Sequence, residues 1–252
     1  MDIFNQSKSL LQDVFYTDVR RTPTFTYLKS VFSEKYYNLL EPTVPPKQLD
    51  WYSAYKILDE EKRAGVEVSY YIRHDLYAEY KPYLLKKGYT LAWDDIYVRK
   101  NLDLNTPLPE GQFNDVDIDS LEHLIRLSNE CFPDYPNGKE YCQMCLAVTQ
   151  QHAASDDKKN LNILMKKNGE EVSFGSLLLS RKQKLGYIHN VGTVEKFRRQ
   201  GLFSSLIHYL EHQAVQEGID VVYANVENHG NSYHGFLKLG YQINCQYHLF
   251  CL

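Results

Sequence analysis

The chemistry of this sequence concentrates in the run Val191-Gly192-Thr193-Val194-Glu195-Lys196-Phe197-Arg198-Arg199-Gln200-Gly201-Leu202-Phe203. An apolar, strand-like stretch over 185–191 leads into a basic turn ending at Gly201, and an amphipathic helix follows at once. Such a turn aims several backbone N–H groups, and the positive end of a helix dipole, at one point in space. Phosphate oxygens are the natural occupants of that point. Gly201 permits close backbone approach, and the arginines add charge-assisted hydrogen bonds. The run predicts a pyrophosphate cradle. There is no G-x-x-x-x-G-K-[ST], and no G-x-G-x-x-G after a strand, so nucleoside triphosphates and dinucleotides are disfavoured as its ligands.

Two residues near the cradle can move protons. His189 stands two positions before Val191 and belongs to the side-chain type that titrates near neutrality. Glu227, at the end of the next strand, is its competitor, directly or through water. Each has a plainer reading, an interior histidine satisfied by hydrogen bonds and a solvated strand-end glutamate.

The cradle resembles the coenzyme A loop of the GNAT acyltransferases. Arg198-x-x-Gly201 matches their R/Q-x-x-G-x-G/A, and the resemblance continues through Asn228 to Phe236-Leu237-Lys238-Leu239-Gly240-Tyr241, similar to their Y-x-K-L-G-F ending. It departs at Phe203, where the family usually has Gly or Ala. The resemblance implies direct attack of an amine on the thioester of acetyl-CoA (coenzyme A) within a ternary complex. It places Val191 and Thr193 beside the pantetheine arm. It gives the pyrophosphate to the backbone N–H groups of Arg199, Gly201, Leu202 and Phe203, with Arg198 as a nearby cation. Asn228 matches the asparagine that bonds coenzyme A or caps the last helix.

The tyrosine that commonly protonates the departing thiolate falls at Phe236, which has no proton to give. Tyr233, nearly one helical turn earlier, is the substitute, with water as its rival. The loop over 131–138 lines the acceptor side, where Phe132, Asp134 and Tyr135 offer an aromatic wall and a carboxylate for a cationic amine. An exposed turn accounts for them equally well. The implied activity is N-acyl transfer, with a small molecule or peptide amine as partner. The rival is a non-catalytic acyl-CoA-binding or protein-interaction module, kept open by Phe236 and Phe203.

Patterning supplies the elements that must position these groups. A breaker-rich linker over 100–112 contains Asn105, Pro107, Pro109 and Gly111. After it the sequence predicts a strand at 113–118, helices at 120–131 and 139–151, and strands at 161–166, 172–180 and 185–191. Asn168-Gly169 marks a hairpin between the first two of these three strands. Leu202, Leu206, Ile207, Leu210 and Ala214 form an apolar helix face, and Gly218 ends that helix. A strand at 221–226, a helix at 231–239 and a closing strand at 241–250 complete the expected GNAT order.

The first half repeats part of the second. Gly65, Val66, Val68 and Tyr70 align at a constant offset with Gly218, Ile219, Val221 and Tyr223. Leu85, Lys86, Gly88, Tyr89 and Leu91 align with Leu237, Lys238, Gly240, Tyr241 and Ile243 at an offset one residue shorter. This predicts a helix at 53–64, a strand at 66–72, a helix at 80–87 and a strand at 90–99. The equivalent of the cradle falls on Val44-Pro45-Pro46-Lys47-Gln48, where proline carries no N–H to offer. The expected organisation is a degenerate GNAT-like domain over 1–104 and a catalytic, acyl-CoA-binding domain over 111–252. The expected class is mixed α/β, a mostly antiparallel sheet flanked by helices.

Composition sets the outer bounds. A 252-residue chain with 43% hydrophobic and 24% charged residues reads as a globular protein with a real core. A formal net charge of −4 disfavours nucleic acid as a partner. No run has the length of a membrane span, and the first residues lack a signal-peptide pattern, so the expected location is cytoplasmic. The five cysteines read as reduced thiols; Cys142-x-x-Cys145 has no second ligand pair to complete a metal site. The expected assembly is a monomer or homodimer.

Overall fold

The structure, a computed structural model, describes residues 2–103, 108–117, 119–133 and 138–252. Asn105 and Pro107 of the linker, Ile118, and Asp134 and Tyr135 of the acceptor-side turn lie outside the described residues. The chain resolves into two compact units. One comprises 1–97, 226–233 and 243–252; the other comprises 98–225 and 234–242.

The second unit holds the predicted order. After β5 (Thr90–Asn101) come β6 (Gln112–Asp115), α4 (Leu121–Cys131), α5 (Gly138–Gln151), β7 (Lys158–Lys167), β8 (Glu170–Ser180), β9 (Leu185–Thr193), α6 (Leu202–Gln216), β10 (Val221–Glu227), α7 (Asn231–Lys238) and β11 (Gln242–Cys251). Strands β6, β7, β8 and β9 are antiparallel neighbours, and β10 joins β9 in parallel. Asn168 and Gly169, with φ of 53° and 81°, make the two-residue turn between β7 and β8. Strand β8 is buried along all but its first residue, because it is central in this order. The α4 side chains Leu124, Ile125 and Leu127 pack with Leu146, Leu164 and Phe174. The α6 face Leu206, Ile207, Leu210 and Ala214 is fully buried.

The first unit begins with four elements that the hydropathy pattern does not announce: α1 (Ile3–Leu11), β1 (Tyr16–Arg21), β2 (Phe25–Ser30) and β3 (Leu39–Pro42). Then follow α2 (Trp51–Arg63), β4 (Ser69–Arg73) and α3 (His74–Lys86), with α3 starting six residues ahead of the expected position. Its strands run in the order β1-β2-β3-β4-β11-β5. Strands β1 and β2, β2 and β3, and β4 and β11 pair antiparallel, and β3 pairs with β4 in parallel. Phe25, Tyr27, Leu40, Ile72, Leu84 and Phe250 anchor its core. On α1, Phe4 lies among the rings of Tyr71, Tyr97 and Tyr247, and Lys8 makes a buried ion pair with Glu41. No helix among the described residues is long and apolar enough to cross a membrane.

Candidate functional site

Strand β9 shapes the site through one irregularity. Ser176 faces His189 and Phe174 faces Gly192, so two residues of β9, Asn190 and Val191, oppose the single Gly175 of β8. Asn190 takes φ of 50° to make this bulge. The parallel ladder to β10 runs from Val221↔Leu185 to Ala224↔Ile188 and stops there. Beyond it, β9 from His189 to Thr193 is paired to β8 alone, so its other backbone edge carries no ladder. Val191 and Thr193 both stand on that edge, and Thr193 is held from the other side by its hydroxyl contact to Ser173 at 2.9 Å.

A short 3-10 turn, Glu195–Phe197, carries the chain from β9 toward α6. Arg199 and Gly201 then adopt left-handed conformations, φ 62° and 79°, and Gly201 caps α6 with no side-chain capping bond. The first backbone bond back to the cap is Ser205 N–H to the Gly201 carbonyl at 3.0 Å. The N–H groups of Leu202, Phe203 and Ser204 precede that bond and have no acceptor within the helix. A Cβ at Gly201 would meet nothing within 4 Å, so the approach to these donors is open. Arg198 donates from Nε to the Thr193 carbonyl at 3.1 Å, tying the turn back to β9. Its charge also opposes the burial that raises the Cys131 thiol to about 11.

Phe203 finds a partner suited to its size. Its ring packs edge-on to Phe236, centroids 5.3 Å apart, and covers Gly235, where a Cβ would come within 2.7 Å of it. Phe236 is itself buried and packs edge-on to Tyr241. The position at which the resemblance expects a proton-donating tyrosine is therefore a core position of α7.

His189 is buried, and burial lowers its ionisation to about 3. Nδ1 lies 3.0 Å from the Tyr141 hydroxyl and Nε2 lies 3.3 Å from Asn160 Oδ1, with Tyr187 stacked on the ring. A histidine so placed stays neutral at physiological pH and is a poor proton acceptor. Behind it, Asn160, Asn162, Thr149 and Ser176 form a continuous hydrogen-bonded group between α5 and the sheet. Sequence reasoning passed over Tyr141 and this group. The signal was available in Asn160 and Asn162, polar residues that share the period-two spacing of Leu164.

Three further candidates, Glu227, Asn228 and Tyr233, belong to the first unit. Glu227 is exposed at the end of β10. Asn228 donates its backbone N–H to the Asp94 carbonyl at 2.9 Å, fixing this turn against β5. Tyr233 is half-buried and packs edge-on to His229, centroids 5.6 Å apart. Cys142 and Cys145 are buried and unpaired in disulfides, with burial raising both thiols.

A bulged strand with a part-unpaired edge leads, through a basic turn, into a helix N-terminus whose first N–H groups have no acceptor within the helix. The model of the acetyltransferase (GNAT) family matches residues 121–241. Residues 121–241 form a domain of that family, and the whole chain has the fold of its solved neighbours. A GCN5-related N-acetyltransferase from Kribbella flavida superposes with a TM-score of 0.66 at 15% identity, covering 98% of this chain and 92% of that one. A GCN5-related N-acetyltransferase from Sphaerobacter thermophilus gives 0.64 at 16% identity, covering 90% and 75%. A tandem GNAT protein from the clavulanic acid biosynthesis pathway gives 0.62 at 8% identity, covering 98% and 87%. No curated protein sequence matches the chain.

Proposed function

We propose that the protein is an N-acyltransferase that moves an acetyl group from acetyl-CoA to an amine by direct attack in a ternary complex. The observation that carries this reading is the uncapped N-terminus of α6 standing directly after the half-paired edge of β9. The N–H groups of Arg199, Gly201, Leu202 and Phe203 would hold the pyrophosphate, with Arg198 as the adjacent cation. Val191 and Thr193 would pair with the pantetheine amides as a strand would, and Asn228 would contact the coenzyme or steady the start of α7. The thioester supplies an activated acetyl carbonyl. The amine nitrogen forms the new C–N bond there as the C–S bond breaks and the thiolate leaves.

For the protons, Glu227 is the exposed carboxylate available as base, and Tyr233 is the hydroxyl available as acid. His189, neutral and bonded at both nitrogens, serves the site by orientation. Phe236, enclosed by Phe203 and Tyr241, favours a second reading in which the domain binds acyl-CoA without turning it over.

On this reading 111–252 is the catalytic domain and 1–104 a degenerate copy that binds no coenzyme A. Support for the latter comes from the start of α2. There Asp50 accepts from Ser53 N–H at 3.1 Å and from its hydroxyl at 2.6 Å, filling with a carboxylate the place a phosphate would take.

Loss of thioester absorbance from acetyl-CoA in the presence of pooled amines tests the function, with mass spectrometry to identify the acetylated product. This optical readout avoids thiol reagents, which would also titrate the five free cysteines. Turnover requiring both protein and amine supports transfer. Tight binding without turnover across all amine classes supports the second reading.

A further inference from the structure

We propose that the first unit carries a reactive centre of its own, in which Nε2 of His74 attacks activated acyl esters while His248 and Asp94 position the ring; it does not depend on the coenzyme reading. All three residues stand in that unit, His74 at the start of α3, Asp94 on β5 and His248 on β11. Asp94 Oδ1 lies 2.5 Å from His248 Nδ1, and His248 Nε2 lies 2.9 Å from His74 Nδ1. The wiring has one direction. A carboxylate can only accept, so Nδ1 of His248 carries the hydrogen and donates to Asp94. His248 is buried, and burial lowers its ionisation, so the ring is neutral and its Nε2 is bare. His74 must then donate from Nδ1. Its own Nε2 is the bare end of the chain and makes no hydrogen bond among the described residues.

An exposed histidine ordinarily exchanges its hydrogen between the two ring nitrogens. Here that exchange is blocked from behind, and His74 is itself exposed, so a nucleophilic nitrogen is held ready at the surface. A hydrogen bond running from the far nitrogen toward a carboxylate also makes the near one more basic. Tyr77 lies nearly parallel to His74, centroids 6.4 Å apart, and stacks on His248 at 3.8 Å. Lys81 Nζ is 5.2 Å from the centre of the Tyr77 ring. His74, Tyr77 and Lys81 thus share one face of α3. An aromatic surface with a cation beside it suits an aryl ester, whose leaving group departs as an anion. Nε2 forms a bond to the acyl carbon as the C–O bond breaks and the aryloxide leaves with the electron pair. The cationic acyl-imidazole keeps its Nδ1 hydrogen directed at His248. Water then adds to the acyl carbon, the N–C bond breaks with its pair returning to Nε2, and the acid and one proton are released.

The probe is p-nitrophenyl acetate, given to the full chain without coenzyme. Release of p-nitrophenolate is followed by absorbance and corrected for release in buffer. The wild type should continue past the five equivalents that the free cysteines could consume. His74→Gln, at an exposed position, should remove most of the release. His248→Phe keeps a ring to stack on Tyr77 and loses both hydrogen bonds, so it should slow release by about tenfold. Nitrogen NMR separates positioning from mere packing. Neutral His74 should carry its hydrogen on Nδ1 in the wild type and share it between both nitrogens in His248→Phe.

No release above buffer by the wild type overturns the proposal, as does an unchanged rate in His74→Gln. A wild-type rate in His248→Phe, or a hydrogen on Nε2 of neutral His74 in the wild type, overturns the positioning role. The wild-type spectrum decides that role even where His248→Phe does not fold.

Discussion

The Tyr141 hydroxyl and Nδ1 of His189 lie 3.0 Å apart, joining the first turn of α5 to the strand that carries the bulge. The bond fixes the ring in place, while burial keeps the histidine neutral. It has a thermodynamic consequence that needs no substrate.

Unfolded, a histidine ionises near pH 6.5, whereas burial holds His189 to about 3. Below about 6.5 the unfolded chain takes up a proton that the fold refuses. Stability from this group is therefore complete above about pH 6.5 and is lost as pH falls toward about 3, at up to roughly 1.4 kcal/mol per unit. Burial lowers His248 as well, so it acts in the same direction. In His189→Gln, the fall in urea midpoint between about pH 6.5 and 5 should shrink, leaving only the share from His248 and other groups. An unchanged slope would contradict the neutral, buried assignment. This upper window stays above the acid range in which Asp157 and Glu217, whose carboxyls are lowered by their partners, begin to matter.

Phe203 and Gly235 should behave as one unit. Gly235→Ala puts a methyl within 2.7 Å of the Phe203 ring and should cost about 1–3 kcal/mol. In a Phe203→Ala background the same substitution should cost close to nothing, because the ring it meets is gone. A double-mutant cycle by urea unfolding measures the difference. Simple additivity would mean that the ring yields without strain, and Phe203 would then be a tolerated surface residue.

Asp50 separates structural capping from coenzyme binding. Its carboxyl is lowered by the hydrogen bonds from Ser53, and it occupies the α2 N-terminus. Asp50→Ala should lower the urea midpoint of unfolding, because it removes the α2 cap. It should leave the acetyl-CoA dissociation constant where it was. A second equivalent of coenzyme bound by Asp50→Ala, seen as a changed stoichiometry, would show that the first unit retains a usable cradle.

The parts legible in the sequence are those whose cause is local. Asn168-Gly169 dictates its own turn, and the spacing of Leu202, Leu206, Ile207, Leu210 and Ala214 dictates the buried face of α6. Gly201 announced the α6 start because a left-handed residue there favours glycine. What was not legible depends on contacts distant in sequence. Strand β3 contains Glu41, which reads as a solvated charge until Lys8 of α1 is seen to bury and pair with it. Strand β1 is short and half-exposed, so its polar residues mask its period. Helix α3 was expected to begin near Tyr80, yet it runs through Pro82 from a start at His74. The bulge at Asn190 uses a left-handed conformation in a residue other than glycine, which no pattern of side chains signals. The bonds that hold His189 were hidden for the same reason, since its partners Tyr141 and Asn160 lie far from it in sequence.

The central claim is that the turn ending at Gly201 is a working coenzyme A cradle. Calorimetric titration with acetyl-CoA tests it most directly, comparing the wild type with Gly201→Glu. Nothing packs within 4 Å of a Cβ at Gly201, so a glutamate there adds a charge facing the bound pyrophosphate, together with the local strain of a side chain at φ 79°. The expected result is one coenzyme per chain for the wild type, with affinity weakened at least about a hundredfold in the variant. Circular dichroism should show that the variant keeps its fold. A folded wild type that takes up no acetyl-CoA, or a Gly201→Glu variant that binds it as tightly, would contradict the claim.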